Sequence, residues 1–262
     1  MERRIYVEGT DTLRIAVFED RALCDYIPRE QRGGGLCETI LKARVDRVAS
    51  GMQAAFADIG EAKMGFLPLT ENSKTVAWPK LQAGQEILVQ VKKEPAGTKG
   101  AFLTRDITLG GSYVVLMPCN RYIGVSNRIE DSDTREALKS LGRDIAGNDF
   151  GLVLRASAAE ADEEALRAEV GDLLAEWKQV TAAAPTAHAP SVLHKPRTAL
   201  DALLDDYVPR GVTELVVSDT SLAAEVSARV TTRVDAELCL DKLDGFTKQV
   251  DTALGRKVWL NC

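Results

Sequence analysis

Residues 53–69 read QAAFADIGEAKMGFLPL. Two aromatics, Phe56 and Phe66, lie in apolar, strand-like runs, and the turn-prone Asp58-Ile59-Gly60-Glu61 separates them. A second strand-rich run, basic in character, follows over 86–105. Small twisted barrels that set stacking rings on one face, with cations beside them, bind single-stranded nucleic acid. The pattern therefore points to RNA contact rather than small-molecule chemistry.

The surrounding segment, 36–106, reads as β throughout. Residues 40–48, ILKARVDRV, mix apolar and charged side chains as a half-buried strand does. Gly51 turns the chain into a strand over 52–59, and 63–69 forms a third. A looser stretch holds Asn72, Ser73, Trp78 and Pro79. A fourth strand over 87–93 and a fifth over 100–105 are joined by the turn Pro95-Ala96-Gly97-Thr98. Five short strands in about 70 residues suit an OB-type barrel.

Upstream, short strands are predicted over 4–7, 13–19 and 22–26, and Gly33-Gly34-Gly35 marks a junction. Downstream come an apolar strand over 113–117 and a helix over 133–141 capped near Ser132 or Asp133. A buried strand over 152–155 and a long helix over 159–181 follow. That helix sets Leu166, Val170, Leu173, Leu174 and Trp177 on one face. The run AAAPTAHAPS at 182–191 reads as a linker. The last region alternates: a helix over 198–207, a strand over 214–218, helices over 221–230 and 246–254, and a strand starting at 256–260. The whole predicts an α+β protein of more than one domain.

Composition narrows the class further. The chain has 262 residues, 45% hydrophobic and 27% charged, as a globular protein does. It has no apolar run of membrane-spanning length, and its first eight residues, MERRIYVE, lack the apolar core of a signal peptide. A cytoplasmic location is the expectation. Cys24, Cys37, Cys119, Cys239 and Cys262 are odd in number and far apart, which argues against a disulfide framework. No pair has zinc-knuckle spacing, and the histidines are only His188 and His194. The net charge of −6 argues against non-specific coating of nucleic acid. Residues 36–106 nevertheless hold ten Lys and Arg against eight Asp and Glu, a surplus suited to a small focused groove.

The order of these pieces resembles the amino-terminal half of the bacterial ribonuclease E/G family of endoribonucleases. The resemblance rests on residues 54–60 (AAFADIG), 65–69 (GFLPL), 93–95 (KEP) and 97–101 (GTKGA). It continues through Leu103-Thr104, 111–118 (GSYVVLMP), Arg128-Ile129-Glu130, and Gly151-Leu152 with Arg155. It covers nearly the whole chain and is looser before Phe56 and after Pro196. It implies an OB-fold β-barrel inserted in a ribonuclease-H-like α/β subdomain, followed by a 5′-sensor region. The implied divisions are 1–35 for the first part of the ribonuclease-H-like subdomain, 36–106 for the RNA-binding barrel, 107–190 for the sensor region and 191–262 for the second part of that subdomain.

The resemblance also implies site residues. Phe56 and Phe66 stand where the family places barrel rings that stack on bases, and Lys99 where it places a cation near the RNA backbone. From the residues alone, each ring reads equally as a barrel core residue. Trp78 reads as a packed loop residue. Gly111, Val115 and Arg155 occupy the positions that hold a 5′-terminal monophosphate. A guanidinium fork suits a phosphate, and a glycine lets the backbone approach closely. Without the family, Arg155 reads as a surface ion pair. Ala156 stands where the family usually has threonine, so one hydroxyl donor is missing and weaker 5′-end discrimination is expected.

Cleavage in the family resembles magnesium-assisted attack by water. Its carboxylates, and the cysteines that share zinc between subunits, fall beyond Cys262 by the same resemblance. Asp201, Asp205, Asp206 and Asp219 read as helix-surface charge and caps instead. No Ser/His/Asp or Cys/His arrangement is credible with two histidines near a linker, and Gly33-Gly34-Gly35 lacks the residues of a phosphate loop. The expectation is the RNA-binding and 5′-sensing part of an endoribonuclease acting on single-stranded RNA in mRNA decay or rRNA maturation, with the chain alone binding RNA but not cutting it. The resemblance leaves room for a homo-oligomer in the full-length protein. The alternatives are a free-standing RNA-binding adaptor without nuclease activity and, more weakly, a translation-linked barrel protein.

Overall fold

The computed structural model describes residues 2–69 and 78–255. They form two units, one from residues up to 35 together with those from 196 onward, the other spanning 36–195. The first unit opens with an antiparallel meander of β1 (Arg3–Glu8), β2 (Thr12–Glu19) and β3 (Ala22–Gln31). Alternation buries Ile5 and Val7 of β1 opposite Val17 and Ile15 of β2. β3 runs beyond the expected end at Tyr26 and carries Pro28. It is the edge of its sheet, where a residue without an N–H leaves no ladder bond unmade.

The second unit begins with β4 (Ile40–Ala49), β5 (Ala54–Asp58), β6 (Gly65–Pro68), β7 (Glu86–Lys93) and β8 (Phe102–Thr104). They pair in the order β4-β5-β6-β8-β7, and β4 pairs again with β7, closing a five-stranded barrel of the OB type. Its interior holds Leu41, Val45, Leu67, Val89, Val91 and Leu103, with Ala43, Ala55, Ala57 and Ala101 between them. Small residues alternating with large ones fill a narrow barrel. At Gly100 a Cβ would stand 1.9 Å from the Met64 carbonyl oxygen, so only glycine allows the backbones to approach here. Trp78 is half-buried, with the Arg105 guanidinium 4.9 Å from its ring centre. The segment expected to hold Asn72 and Ser73 lies outside the described residues.

After the barrel come β9 (Leu109–Gly110), β10 (Val114–Met117), β11 (Ile123–Val125), α1 (Ser132–Ala146), β12 (Gly151–Leu154) and α2 (Glu163–Ala183). The strands form a sheet in the order β11-β12-β10-β9. The cap of α1 is Asp131 rather than Ser132 or Asp133; its carboxylate accepts from the Thr134 N–H at 2.7 Å. Helix α2 starts four residues later than expected. Asp162 supplies its cap, and 156–159 form a separate 3-10 turn. Leu166, Val170, Leu173 and Val180 are its buried stripe, with Leu174 and Trp177 packed alongside.

The 182–191 segment is not a free linker. Lys42 Nζ donates to the Ala187 carbonyl at 2.8 Å, Ala189 is buried, and the Ala189-Pro190 bond is cis. The chain then adds β13 (Ser191–His194) antiparallel to β4. Alanine and proline composition suggested mobility, but the free backbone groups along β4 need partners, and this run supplies them.

The first unit resumes with α3 (Ala199–Tyr207), β14 (Glu214–Val217), α4 (Thr220–Val226), β15 (Thr232–Val234) and α5 (Phe246–Gly255). β14 lies parallel to β1 and to β15, giving the order β15-β14-β1-β2-β3. Leu200, Leu204, Leu222 and Val226 of the helices pack on Ile5, Val7, Ile15 and Val17. α4 ends at Val226, short of the expected Val230, because the chain turns there into β15. The strand expected at 256–260 lies outside the described residues.

One polar contact inside this unit is pH-sensitive. The Tyr207 hydroxyl donates to the half-buried Asp25 carboxylate. Burial pushes the Asp25 carboxyl above its ordinary value of 3.8, and the hydrogen bond only partly opposes it. A raised folded value means that this group's stabilisation is full below the unfolded value and is lost as pH rises through the folded value. Asp25→Asn, which mimics the protonated acid, should therefore raise the urea midpoint at pH 7. That gain should shrink as the pH is lowered towards 4. A gain that grows towards acid pH would contradict the assignment.

Candidate nucleic-acid interface

The barrel carries a continuous row of side chains across five neighbouring strands. Register pairs Arg47 of β4 with Phe56 of β5, Phe56 with Phe66 of β6, Phe66 with Phe102 of β8, and Phe102 with Lys93 of β7. The three rings touch in sequence. Phe56 and Phe66 are 5.9 Å apart and nearly perpendicular at 77°, while Phe66 and Phe102 are 5.8 Å apart at 38°. The Arg47 guanidinium lies 4.6 Å from the Phe56 ring centre, and the Lys93 ammonium 5.9 Å from that of Phe102. The row thus reads cation, ring, ring, ring, cation.

Alternation turns the rings outward. Ala55, Ala57, Gly65, Leu67, Ala101 and Leu103 are buried on either side of them. Phe56 and Phe66 are half-buried against each other and Phe102 is exposed, so none belongs to the barrel core. The two cations obey a different rule. Strict alternation from Val45 and from Val91, both buried, would turn Arg47 and Lys93 inward. A register shift between Val45 and Arg47 in β4, and another between Val91 and Lys93 in β7, reverse the sense of the strand. Bulges of this kind re-aim a side chain. Here two of them deliver positive charge to both ends of the ring row.

Sequence reasoning singled out Phe56, Phe66 and Lys99, and the structure brings the first two together. Lys99 is exposed on the 96–99 turn between β7 and β8, where Ala96 and Lys99 form a bridge, and it lies outside the row. Arg47, Phe102 and Lys93 were missed. Phe102 was legible in principle, as an aromatic between two small-barrel positions that face inward; the cations were not, because bulges leave no clear mark in a single sequence.

The residues assigned to 5′-phosphate binding gather at the turn between β9 and β10. The Gly111 N–H donates to the Val114 carbonyl at 2.8 Å. Val115 is half-buried in β10, paired with Gly110 and with Val153 of β12. Arg155 follows β12 and is exposed; its N–H donates to the Tyr113 carbonyl at 2.7 Å. A Cβ on Gly110 would stand 3.0 Å from a terminal nitrogen of Arg155, so the guanidinium lies over this turn. Glu169 of α2 was not foreseen. Its carboxylate accepts from the N–H groups of Ser112, Tyr113 and Val114 at 2.5, 2.8 and 2.9 Å. Consecutive amides of this sort form an anion nest, and this one already holds the protein's own anion. A Cβ on Gly111 would lie 2.4 Å from the Glu169 carboxyl carbon, which gives the glycine a local packing reason. Ser157 Oγ donates to the Ser112 carbonyl at 2.7 Å, so it is engaged in the turn and does not stand in for the hydroxyl missing at Ala156.

The helix acids singled out in the sequence are tied into ion pairs. Arg229 joins Asp201 and Asp205, Arg197 also meets Asp205, and Arg210 meets Asp206. Asp219 caps α4 and pairs with Arg32. Hydrogen bonds from Ser221 and from the Leu222 N–H hold its carboxyl below the usual range. Among the described residues no group of three His, Cys, Asp or Glu side chains converges to hold a metal. Cys24, Cys37, Cys119 and Cys239 are free thiols. No helix among the described residues is long and apolar enough to cross a membrane.

Comparison with known proteins matches this sequence to one family. The sequence profile of the Ribonuclease E/G family covers residues 108–262. Ribonuclease G of Haemophilus influenzae is 32% identical over 94% of this chain and 50% of its own length. Ribonuclease E of Escherichia coli is 31% identical over 83% of the chain and 22% of its own length. Ribonuclease G of Escherichia coli is 38% identical over 59% of the chain and 35% of its own length. The chain thus spans about a quarter to about half the length of most of these curated relatives. On the profile match and these relatives, the chain belongs to the ribonuclease E/G family.

Proposed function

We propose that this chain is the RNA-binding and 5′-end-sensing part of an endoribonuclease that cleaves single-stranded RNA in RNA processing and decay. The observation that carries the reading is the outward row of three rings closed at both ends by cations. Ring faces on a barrel stack on unpaired bases whatever the sequence, and flanking cations meet the phosphates. The relatives named Ribonuclease E and Ribonuclease G support the assignment to RNA. Lys99, exposed on the neighbouring turn, adds a third cation for the RNA backbone.

Magnesium and zinc enter as the family implies them. The residues described here do not fit either ion, since no acidic, histidine or cysteine triad converges among them. Their ligands belong, in this proposal, to parts of the protein outside this chain, and the chain's own share is to grip and orient the strand. Homo-oligomerisation of the full-length protein and action in the cytoplasm are part of the same proposal.

Replacing Phe56 and Phe66 by alanine tests the grip. Each ring is worth about 1–3 kcal/mol per stacked base. The double variant should lose single-strand affinity on that scale while its circular dichroism and urea midpoint stay near the parent's, because both rings lie outside the core. Unchanged affinity in a folded variant would remove the RNA reading of the row. For the 5′ end, Arg155, Gly111 and Val115 are the proposed contacts, weakened by Ala156 and by Glu169 in the amide nest. RNAs ending in a 5′-monophosphate should therefore bind only modestly more tightly than those ending in a 5′-hydroxyl. A wide gap between them that Arg155→Ala abolishes would contradict the weakening.

A further inference from the structure

The geometry points to Phe102 and Lys93 as a third base-and-phosphate position, which makes the barrel a grip for three consecutive unpaired nucleotides rather than two. The inference rests on the reading of the row as an RNA surface and goes beyond the pair Phe56 and Phe66.

Phe102 takes no part in filling the barrel; its ring contact is with Phe66 on the outer face. Its neighbours Ala101 and Leu103 fill the barrel, and Phe102 itself is 36% exposed on a strand of three residues. The ring is set beside Phe66 at 38°, far closer to parallel than the 77° between Phe66 and Phe56. Phe66 and Phe102 are thus tilted towards a common side rather than set edge to face.

The bulge in β7 then places the Lys93 ammonium over Phe102, as the bulge in β4 places the Arg47 guanidinium over Phe56. The arrangement is the same at both ends of the row, and an extended polyanion crossing the strands meets a cation as it enters and as it leaves. Neighbouring ring centres are 5.8 to 5.9 Å apart. Bases stacked on one another rise only about 3.4 Å per strand in a duplex. One base per ring thus requires a stretched strand with splayed bases, a state open to single-stranded RNA and closed to a duplex.

The test uses the full chain and fluorescence anisotropy with 3′-labelled, 5′-hydroxyl oligouridylates of two, three and eight nucleotides; the 5′-hydroxyl leaves phosphate sensing out of the measurement. Phe102→Ala should weaken binding of the eight-nucleotide RNA by about 5- to 150-fold, the loss of one stacked base. It should also erase the gain in affinity between two and three nucleotides. Lys93→Gln should flatten the dependence of log affinity on log salt by about 0.7, one phosphate contact. Phe102→Trp, which keeps a ring, should retain binding and guards against a folding defect in the alanine variant. Unchanged affinity and salt slope in Phe102→Ala and Lys93→Gln, alongside a loss in Phe56→Ala with Phe66→Ala, would overturn the third position and leave the RNA surface standing. No loss in any of these variants would overturn both.

Discussion

The double pairing of β4 is the constraint on which the rest depends. This one strand bonds to β7 along Ile40–Arg44 and to β5 along Arg44–Ala49, and so closes the barrel. Small-barrel closure asks a strand to coil and tilt, and the shift between Val45 and Arg47 is where the register gives. The same irregularity that belongs to closure also carries Arg47 out of the interior and onto the Phe56 ring. The small residues Ala43, Ala55, Ala57 and Ala101 permit the closure, and Gly100 permits the close approach at Met64. Fold and candidate surface thus have one origin: alternation fills the narrow interior with aliphatic and small side chains and turns the phenylalanines out.

Much of this was legible in the sequence, and the rest failed for identifiable reasons. The five barrel strands announce themselves by alternation and by glycine turns; the residues alone left Phe56 and Phe66 equally readable as core, and only the resemblance turned them outward. Arg47 and Lys93 were not legible, because each lies just past a bulge that reverses the alternation. The cap of α1 was misplaced because Asp131, Ser132 and Asp133 are all competent caps, and only geometry chooses Asp131. Residues 182–191 looked like a linker because alanine and proline are read locally, whereas β13 exists to satisfy a distant strand.

The turn at 111–114 shows a similar gap between type and placement. Gly111 and Arg155 were identifiable by resemblance, and they do come to the same turn. Glu169 was not, since nothing in helix α2 distinguishes it from the other acids until three backbone N–H groups are seen to converge on it. A carboxylate bonded to three amides fixes the turn firmly. It also occupies the donors that, in the proposed reading, a 5′-phosphate would meet. Rigidity of the turn and openness to a ligand compete here, in a chain that already has Ala156 where a hydroxyl would help.

The central claim is that the row from Arg47 to Lys93 is a surface for single-stranded RNA. Photocrosslinking with a 4-thiouridine-substituted single strand, followed by mass mapping of the attached peptides, reads that contact most directly. The account predicts adducts concentrated on the peptides carrying Phe56, Phe66 and Phe102. It further predicts that unlabelled single strand competes them away and duplex RNA does not. Adducts confined to other faces of the chain, with these three peptides unmodified, would contradict it.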